Sequence, residues 1–249
     1  MLDPWQPTLH PEWAIAIAVF AIDYAVVARH LRQRGVAVDR VRCLAFAAGL
    51  LILAVALLSP IEHLALTSML SFHLLQNVMI ADWAPPLLVW GLLPAMALSI
   101  DRRPAVRRLT QPWIAIALWL AAWYVIHLPA VYDYALAHRW ALGIEHLVFI
   151  VTGILFWWAE IVPGRMTAER RIVYLFVALV VMMPLDVFIG LYPEPLYAFY
   201  EHTPKLGGIS ALTDQRIAGA TAVLAETLVF AIALLLAALE LRSRGRRRS

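Results

Sequence analysis

The chain has 249 residues, 63% of them hydrophobic and only 15% charged, with a formal net charge of +3. A soluble domain cannot bury so much apolar surface, and the apolar residues come in runs close to the ~20 needed to cross a bilayer core. The basic residues cluster in a few short segments, which argues against a nucleic-acid-binding protein, and the single cysteine, Cys43, excludes an internal disulfide.

Seven segments read as spanning helices: 13–30, 41–59, 66–90, 113–128, 142–161, 172–191 and 217–239. The expected fold class is all-α, a polytopic seven-transmembrane-helix bundle forming one integral membrane domain over residues 1–249. Helices are required because a lone spanning segment must satisfy its backbone internally. Seventeen of the 20 Lys+Arg lie in 29–42, 102–108, 165–171 and 242–248, which are alternate connections plus the C-terminal tail. The positive-inside rule then puts the N-terminus outside and the C-terminus in the cytoplasm. Residues 1–12 carry no Lys or Arg, so no cleavable signal peptide is expected. The basic tail reads as an orientation signal and lipid contact.

Along the chain, Asp23 sits inside the first span. Cys43 opens the second and reads as a small buried residue. His63, preceded by Glu62, lies in the short connection that follows. The third segment is too long for one crossing and contains Pro85-Pro86, where a kink or break is expected; residues 87–100 then tilt away or lie near the inner surface. Met69, His73, Gln76 and Asn77 share its outer face, with Asp82 deeper. His127 closes the fourth span, and Asp133 is close enough in sequence to fold back over it. Glu145 and His146 fall about one turn into the fifth. Met182, Met183 and Asp186 occupy the outer half of the sixth. A Pro- and Gly-containing loop, 192–214, reads as a lid over the outer face, and Glu226 sits in the seventh span.

Seven of the eight histidines, His10, His63, His73, His127, His138, His146 and His202, fall on the outer side. His10, His138 and His202 read as solvated residues. His73, His127 and His146 share one depth on separate helices, where polar groups face the bundle interior. Imidazole with thioether suits Cu(I), and imidazole with carboxylate suits Cu(II) or Zn. The expected metal ligands are His73, His127 and His146, with Met69 or His63 completing the set. Asp133, Glu145, Gln76 and Asn77 are expected around them, orienting the imidazoles. The competing reading is three structural histidines bonded between helices, with the methionines as packing. Asp23, Asp82 and Glu226 need a proton, a hydrogen bond or an arginine; structural polar contact is the leading reading of them and a proton path the alternative.

The run His127-Leu-Pro-Ala-Val-Tyr-Asp133-Tyr-Ala-Leu136, then Glu145-His146-Leu-Val-Phe149 and Gly153-Ile-Leu-Phe-Trp-Trp158, resembles the caa(3)-type cytochrome c oxidase assembly factor family (CtaG-like). His73-Leu-Leu-Gln76, Ala84-Pro85-Pro86-Leu87-Leu88 and Asp214-Gln215-Arg-Ile-Ala218-Gly219 extend the resemblance, which runs from about Ser68 to the end of the seventh span. It implies a seven-helix protein of the bacterial cytoplasmic (inner) membrane that helps deliver or insert copper for a haem–copper oxidase. It implies partners among oxidase subunits, a copper donor protein and membrane lipids, with no nucleic acid. His73, His127 and His146 match family histidines, and Asp133 and Glu145 match family acids. The chain departs from the pattern at Asn77 and Leu142, where members carry further histidines.

The leading expectation is therefore a copper-handling assembly factor that is not an enzyme. No nucleophile–base arrangement, phosphate loop or His-Glu-x-x-His motif is present. The alternatives are a metal-free scaffold for oxidase assembly and a membrane haem protein with axial histidines. A retinal protein is excluded because the only lysine, Lys205, lies in a loop.

Overall fold

The computed structural model describes residues 10–246, and among them every regular element is helical. In chain order these are α1 (Pro11–Gln33), α2 (Arg40–Leu58), α3 (Pro60–Thr67) and α4 (Leu70–Val78), then a π turn (Met79–Trp83). There follow α5 (Ala84–Gly91), α6 (Pro94–Asp101), α7 (Pro104–Leu109), α8 (Pro112–Ile126), α9 (Pro129–Ala137), α10 (Arg139–Ile161), α11 (Ala168–Leu191) and α12 (Ala198–Glu201). A 3₁₀ turn (Leu206–Gly208) precedes α13 (Ala211–Arg246). Proline occupies the first turn of α1, α3 and α5 to α9. Except in α5, which continues a preceding helical turn, its missing N–H would be unpaired in any case, and its fixed φ is already helical.

Among the described residues, five helices are long and apolar enough to cross a membrane: α1, α2, α10, α11 and α13. Two bent pairs raise the number to seven if each is one span. Leu70–Gly91 meets α6 at 107°, and α8 meets α9 at 76°. The arginine clusters fall at one end of the bundle, here the arginine face. The opposite, histidine face is built from α3, α9, α12 and the loop around them.

The long third segment does not break at Pro85-Pro86, as expected from sequence. The two prolines sit in the first turn of α5, directly after the π turn. Without an N–H they cannot bond the carbonyls of Ala81 and Asp82, and they crowd them. The wider π register takes up this conflict, so the helix runs on. The sharp bend comes later, at Leu92, whose backbone leaves the helix before Pro94 opens α6. The carbonyls exposed there are bonded by side chains from α1 and α2. Arg42 donates to Trp90 O at 2.6 Å and Leu92 O at 3.0 Å, and Tyr24 donates to Gly91 O at 2.9 Å. Cys43 is half-buried, with its thiol 3.6 Å from the Tyr24 hydroxyl oxygen, to which it can donate.

Two glycines bring backbones together. Gly153 on α10 packs on the carbonyl of Ala81, one of the two left free by the prolines, and a Cβ there would collide with it. At Gly219 on α13 a Cβ would stand 2.6 Å from Gly190 Cα and 2.7 Å from Asp186 O on α11. Only glycine permits either approach. Beneath the histidine face, Trp119, Trp123, Phe149, Phe156, Trp157 and Phe230 pack with ring centroids 4.7 to 6.3 Å apart. At the arginine face, Arg171 bonds Glu160 and Glu240, each at 2.6 Å, tying α10, α11 and α13. Arg165 pairs with Asp101, which also accepts from Trp158 Nε1 at 3.0 Å.

Gly153→Ala is expected to destabilise the bundle by about 1–3 kcal/mol, the usual cost of overpacking a tight contact. The thermal midpoint of the detergent-solubilised variant should fall. An unchanged midpoint would show slack between α10 and the π turn.

Candidate metal centre

α4 has no capping side chain of its own at Met69. Asp214, from the first turn of α13 and fully buried, supplies the cap. Its carboxylate accepts from Leu70 N at 2.7 Å and Ser71 N at 3.2 Å. A charge-assisted cap of this kind fixes the start of the helix. His73, one turn further, is thereby set against α10, which carries Glu145 and His146.

His73, Glu145 and His146 each place a ligand atom so that all three lie within 4.8 Å of one another. All are buried, at 0%, 3% and 1% exposure. The His73 tautomer follows from its partners. Tyr200 donates its hydroxyl hydrogen to Ala65 O at 2.5 Å, so toward His73 it accepts, from Nδ1–H at 2.8 Å. The other nitrogen, Nε2, then faces Glu145 Oε1 at 3.3 Å with its lone pair. Two acceptors this close in a dry site require a proton or a metal ion between them. His73 Nε2, Glu145 Oε2 and both nitrogens of His146 close no hydrogen bond. The residues therefore fit a cation: two imidazoles and one carboxylate converge, with unpaired acceptors and no bulk water. Such a nitrogen–oxygen set suits Cu(II) or Zn better than Cu(I).

His127 is not in this group. Its Nδ1 donates to Trp123 O at 2.8 Å, and its ring stacks on Trp123 at 5.2 Å. Tyr132 lies against both histidines, 4.9 Å from His73 and 5.4 Å from His127 between centroids. His127 Nε2 and Tyr132 Oη are both buried and unpaired. Asp133, expected near His127, turns to the loop instead. It caps α12, accepting from Ala198 N at 3.1 Å and Phe199 N at 3.2 Å. That is the stronger demand on it, because α12 is short and its first N–H groups have no other acceptor. Glu145, expected to orient an imidazole, presents its own oxygen among the converging atoms. Asn77 donates to Glu145 Oε1 at 3.4 Å. Gln76 donates to Ala56 O at 2.8 Å and to Glu62. Met69 is buried at the start of α4, while His63 lies half-exposed on α3, its carbonyl accepting from the Thr67 hydroxyl. Leu142 is buried in α10.

The loop residues had no signal in the sequence. Tyr200 fixes His73, and Tyr197 donates to His127 O at 3.1 Å. Lys205 holds the loop by donating to Tyr200 O and Thr203. His10, expected to be solvated, is buried where α1 begins. It accepts from Arg139 at 3.2 Å through Nδ1 and turns Nε2 to Glu62 Oε1 at 3.3 Å. Trp13 lies 6.1 Å from His146, ring to ring. The first turn of α1 therefore covers the site. His138 and His202 are exposed, as expected.

The family model described as cytochrome c oxidase caa3 assembly factor (Caa3_CtaG) matches residues 22–244. Two curated proteins, uncharacterized protein Mb0105 of Mycobacterium bovis and uncharacterized protein MT0111 of Mycobacterium tuberculosis, are each 28% identical over 196 residues. That alignment takes in 70% of this chain and 29% of each relative, so the chain matches less than a third of their length. No solved structure matches.

Burial pushes the Glu62 carboxyl up from about 4.5 to about 8, against the hydrogen bond from Gln76. A group raised on folding lends stability that is complete below its unfolded value and lost as pH climbs through the folded one. Glu62 should thus cost the protein stability between about pH 4.5 and 8. Glu62→Gln is expected to flatten the fall of the thermal midpoint across that window. A fall as steep as in the parent would place the titrating group elsewhere.

Proposed function

The chain belongs to the family of cytochrome c oxidase caa3 assembly factors, and on that premise we propose that it holds a copper ion for a haem–copper oxidase during assembly. The observation that carries this reading is the meeting of His73 Nε2 with Glu145 Oε1, beside a His146 with both nitrogens unpaired. Copper here is cargo. It takes the place of the proton that otherwise separates His73 from Glu145, so binding releases that proton. Tyr200 holds the His73 lone pair toward the ion, and Asn77 steadies Glu145. His146, tied to no partner, is the ligand best able to exchange as the ion arrives or leaves.

In this reading the two bent pairs are each one span, giving seven. The arginine face is cytoplasmic by the positive-inside rule. The histidine face and its copper then lie on the outer side of a bacterial cytoplasmic membrane. Oxidase subunits are the recipients, and a copper donor protein supplies the ion. The role is binding and hand-over, in keeping with an assembly factor rather than an enzyme.

The purified protein, loaded with Cu(II) and dialysed, is expected to retain about one copper, the capacity of one such ligand set. His73→Ala and His146→Ala should each lose most of it. Tyr200→Phe, which deprives His73 Nδ1 of its acceptor, should bind about 10–100-fold more weakly, the usual cost of losing such a partner. Elemental analysis and competition titration read both effects. Undiminished copper in both alanine variants would remove the site. A copper-free protein that still co-purifies with oxidase subunits would establish the metal-free scaffold.

A further inference from the structure

A second polar cluster lies deeper in the bundle. Asp82 is carried by the π turn, Asp186 by α11 and Glu226 by α13. Asp82 lies nine residues beyond His73, about 13–14 Å along the helical run at 1.5 Å per residue, so the cluster is separate from the metal centre. The three side chains are buried, at 0%, 1% and 1% exposure. Both oxygens of Asp82, both of Asp186 and Oε1 of Glu226 lack a hydrogen-bond partner. The indole N–H groups of Trp119 and Trp157, equally buried, lie near the Asp82 carboxyl, and neither has a hydrogen-bond partner. Asp186 and Glu226 face each other. The other ionisable groups directed at the cluster are the phenols of Tyr124 and Tyr197, both acting on Asp186. Among the described residues, no arginine, lysine or histidine forms an ion pair with any of the three carboxyls.

Three ionised carboxylates without a counter-charge are untenable at this depth in a membrane. Something positive must neutralise them. A metal ion would draw the oxygens onto one point. Yet among the described residues the only ligand atoms gathered so closely are those of His73, Glu145 and His146. Protons need no such convergence, because each carboxyl can carry its own. We propose that Asp82, Asp186 and Glu226 form an intramembrane proton-binding site. Asp82 is the member that releases its proton, because the carboxylate left behind accepts from two waiting indole N–H groups. Asp186 and Glu226 keep a proton between them. The interruptions beside the acids, the π turn at Asp82 and Pro184 two residues before Asp186, give the backbone local freedom to change with the loading. Tyr124 donates to Val181 O, three residues before Pro184, at 2.6 Å.

Infrared difference spectroscopy of the full chain in lipid nanodiscs, in H₂O and D₂O at neutral pH, tests this. Carboxylic-acid carbonyl bands that shift in D₂O are expected, and Asp82→Asn, Asp186→Asn and Glu226→Gln should each remove one carboxyl's share. No protonated-carboxyl band, or a band untouched in all three variants, would overturn the proposal. A band abolished by sodium would also overturn it, and would make the cluster a metal-cation site. Should the variants fail to fold, dicyclohexylcarbodiimide labelling of the parent decides, since the reagent adds to protonated carboxyls in apolar surroundings. Adducts mapped by peptide mass spectrometry to Asp82, Asp186 or Glu226 support the site. Adducts confined to other residues contradict it.

Discussion

The contact between His73 Nε2 and Glu145 Oε1 imposes its terms on the whole histidine face. Neither atom can turn to water, and neither has a hydrogen to give once Tyr200 has claimed the Nδ1–H. The pair is stable only with a positive charge between its members, and it stays in place only if both helices are held. Asp214 holds α4 by its first amides, Asn77 holds Glu145, and the loop delivers Tyr200 under the grip of Lys205. Each of these groups comes from a different part of the chain. The site is therefore a property of the assembled bundle, and removing one strut loosens the pair.

Interruptions in the helices put polar groups where a regular bundle would have none. The double proline, followed back to the π turn, leaves the Ala81 carbonyl exposed, and Gly153 on α10 makes room for it. The bend at Leu92 is bonded by Arg42 and Tyr24. Pro184 lies inside α11 just before Asp186, where it removes one backbone N–H from the helix. In each case a neighbouring side chain or glycine receives what the break exposes, as a membrane interior demands. The arrangement yields two separate polar centres on one helical run, one of imidazoles near the histidine face and one of carboxyls below it.

Much of this was legible in the residues alone. Apolar run lengths and arginine spacing gave an all-helical chain with several candidate spans, and residue type with depth singled out His73, His127 and His146, of which the fold brings the first and last together. Three things were not legible. Glu145 was read as a support because its neighbour in sequence is a histidine, whereas its oxygen faces His73 across the bundle. Asp133 was drawn to His127 by sequence distance, while its actual acceptor duty to α12 depends on where a distant loop lands. The bend assigned to Pro85-Pro86 moved to Leu92 because a π turn, invisible in periodicity, absorbed the prolines. Position 77 shows the same dependence on context. Asparagine there reads as a missing ligand by comparison with a family pattern, yet in the fold its amide supports Glu145.

The central claim is that one ion is held by the imidazoles of His73 and His146 and the carboxylate of Glu145. X-ray absorption spectroscopy of the copper-loaded protein tests it most directly, because it reads the donor atoms themselves. The account predicts a first shell of nitrogen and oxygen at about 2.0 Å with imidazole scattering from two histidines, consistent with typical imidazole and carboxylate bond lengths to such ions. A shell dominated by sulfur, or copper with no imidazole signature, would contradict it.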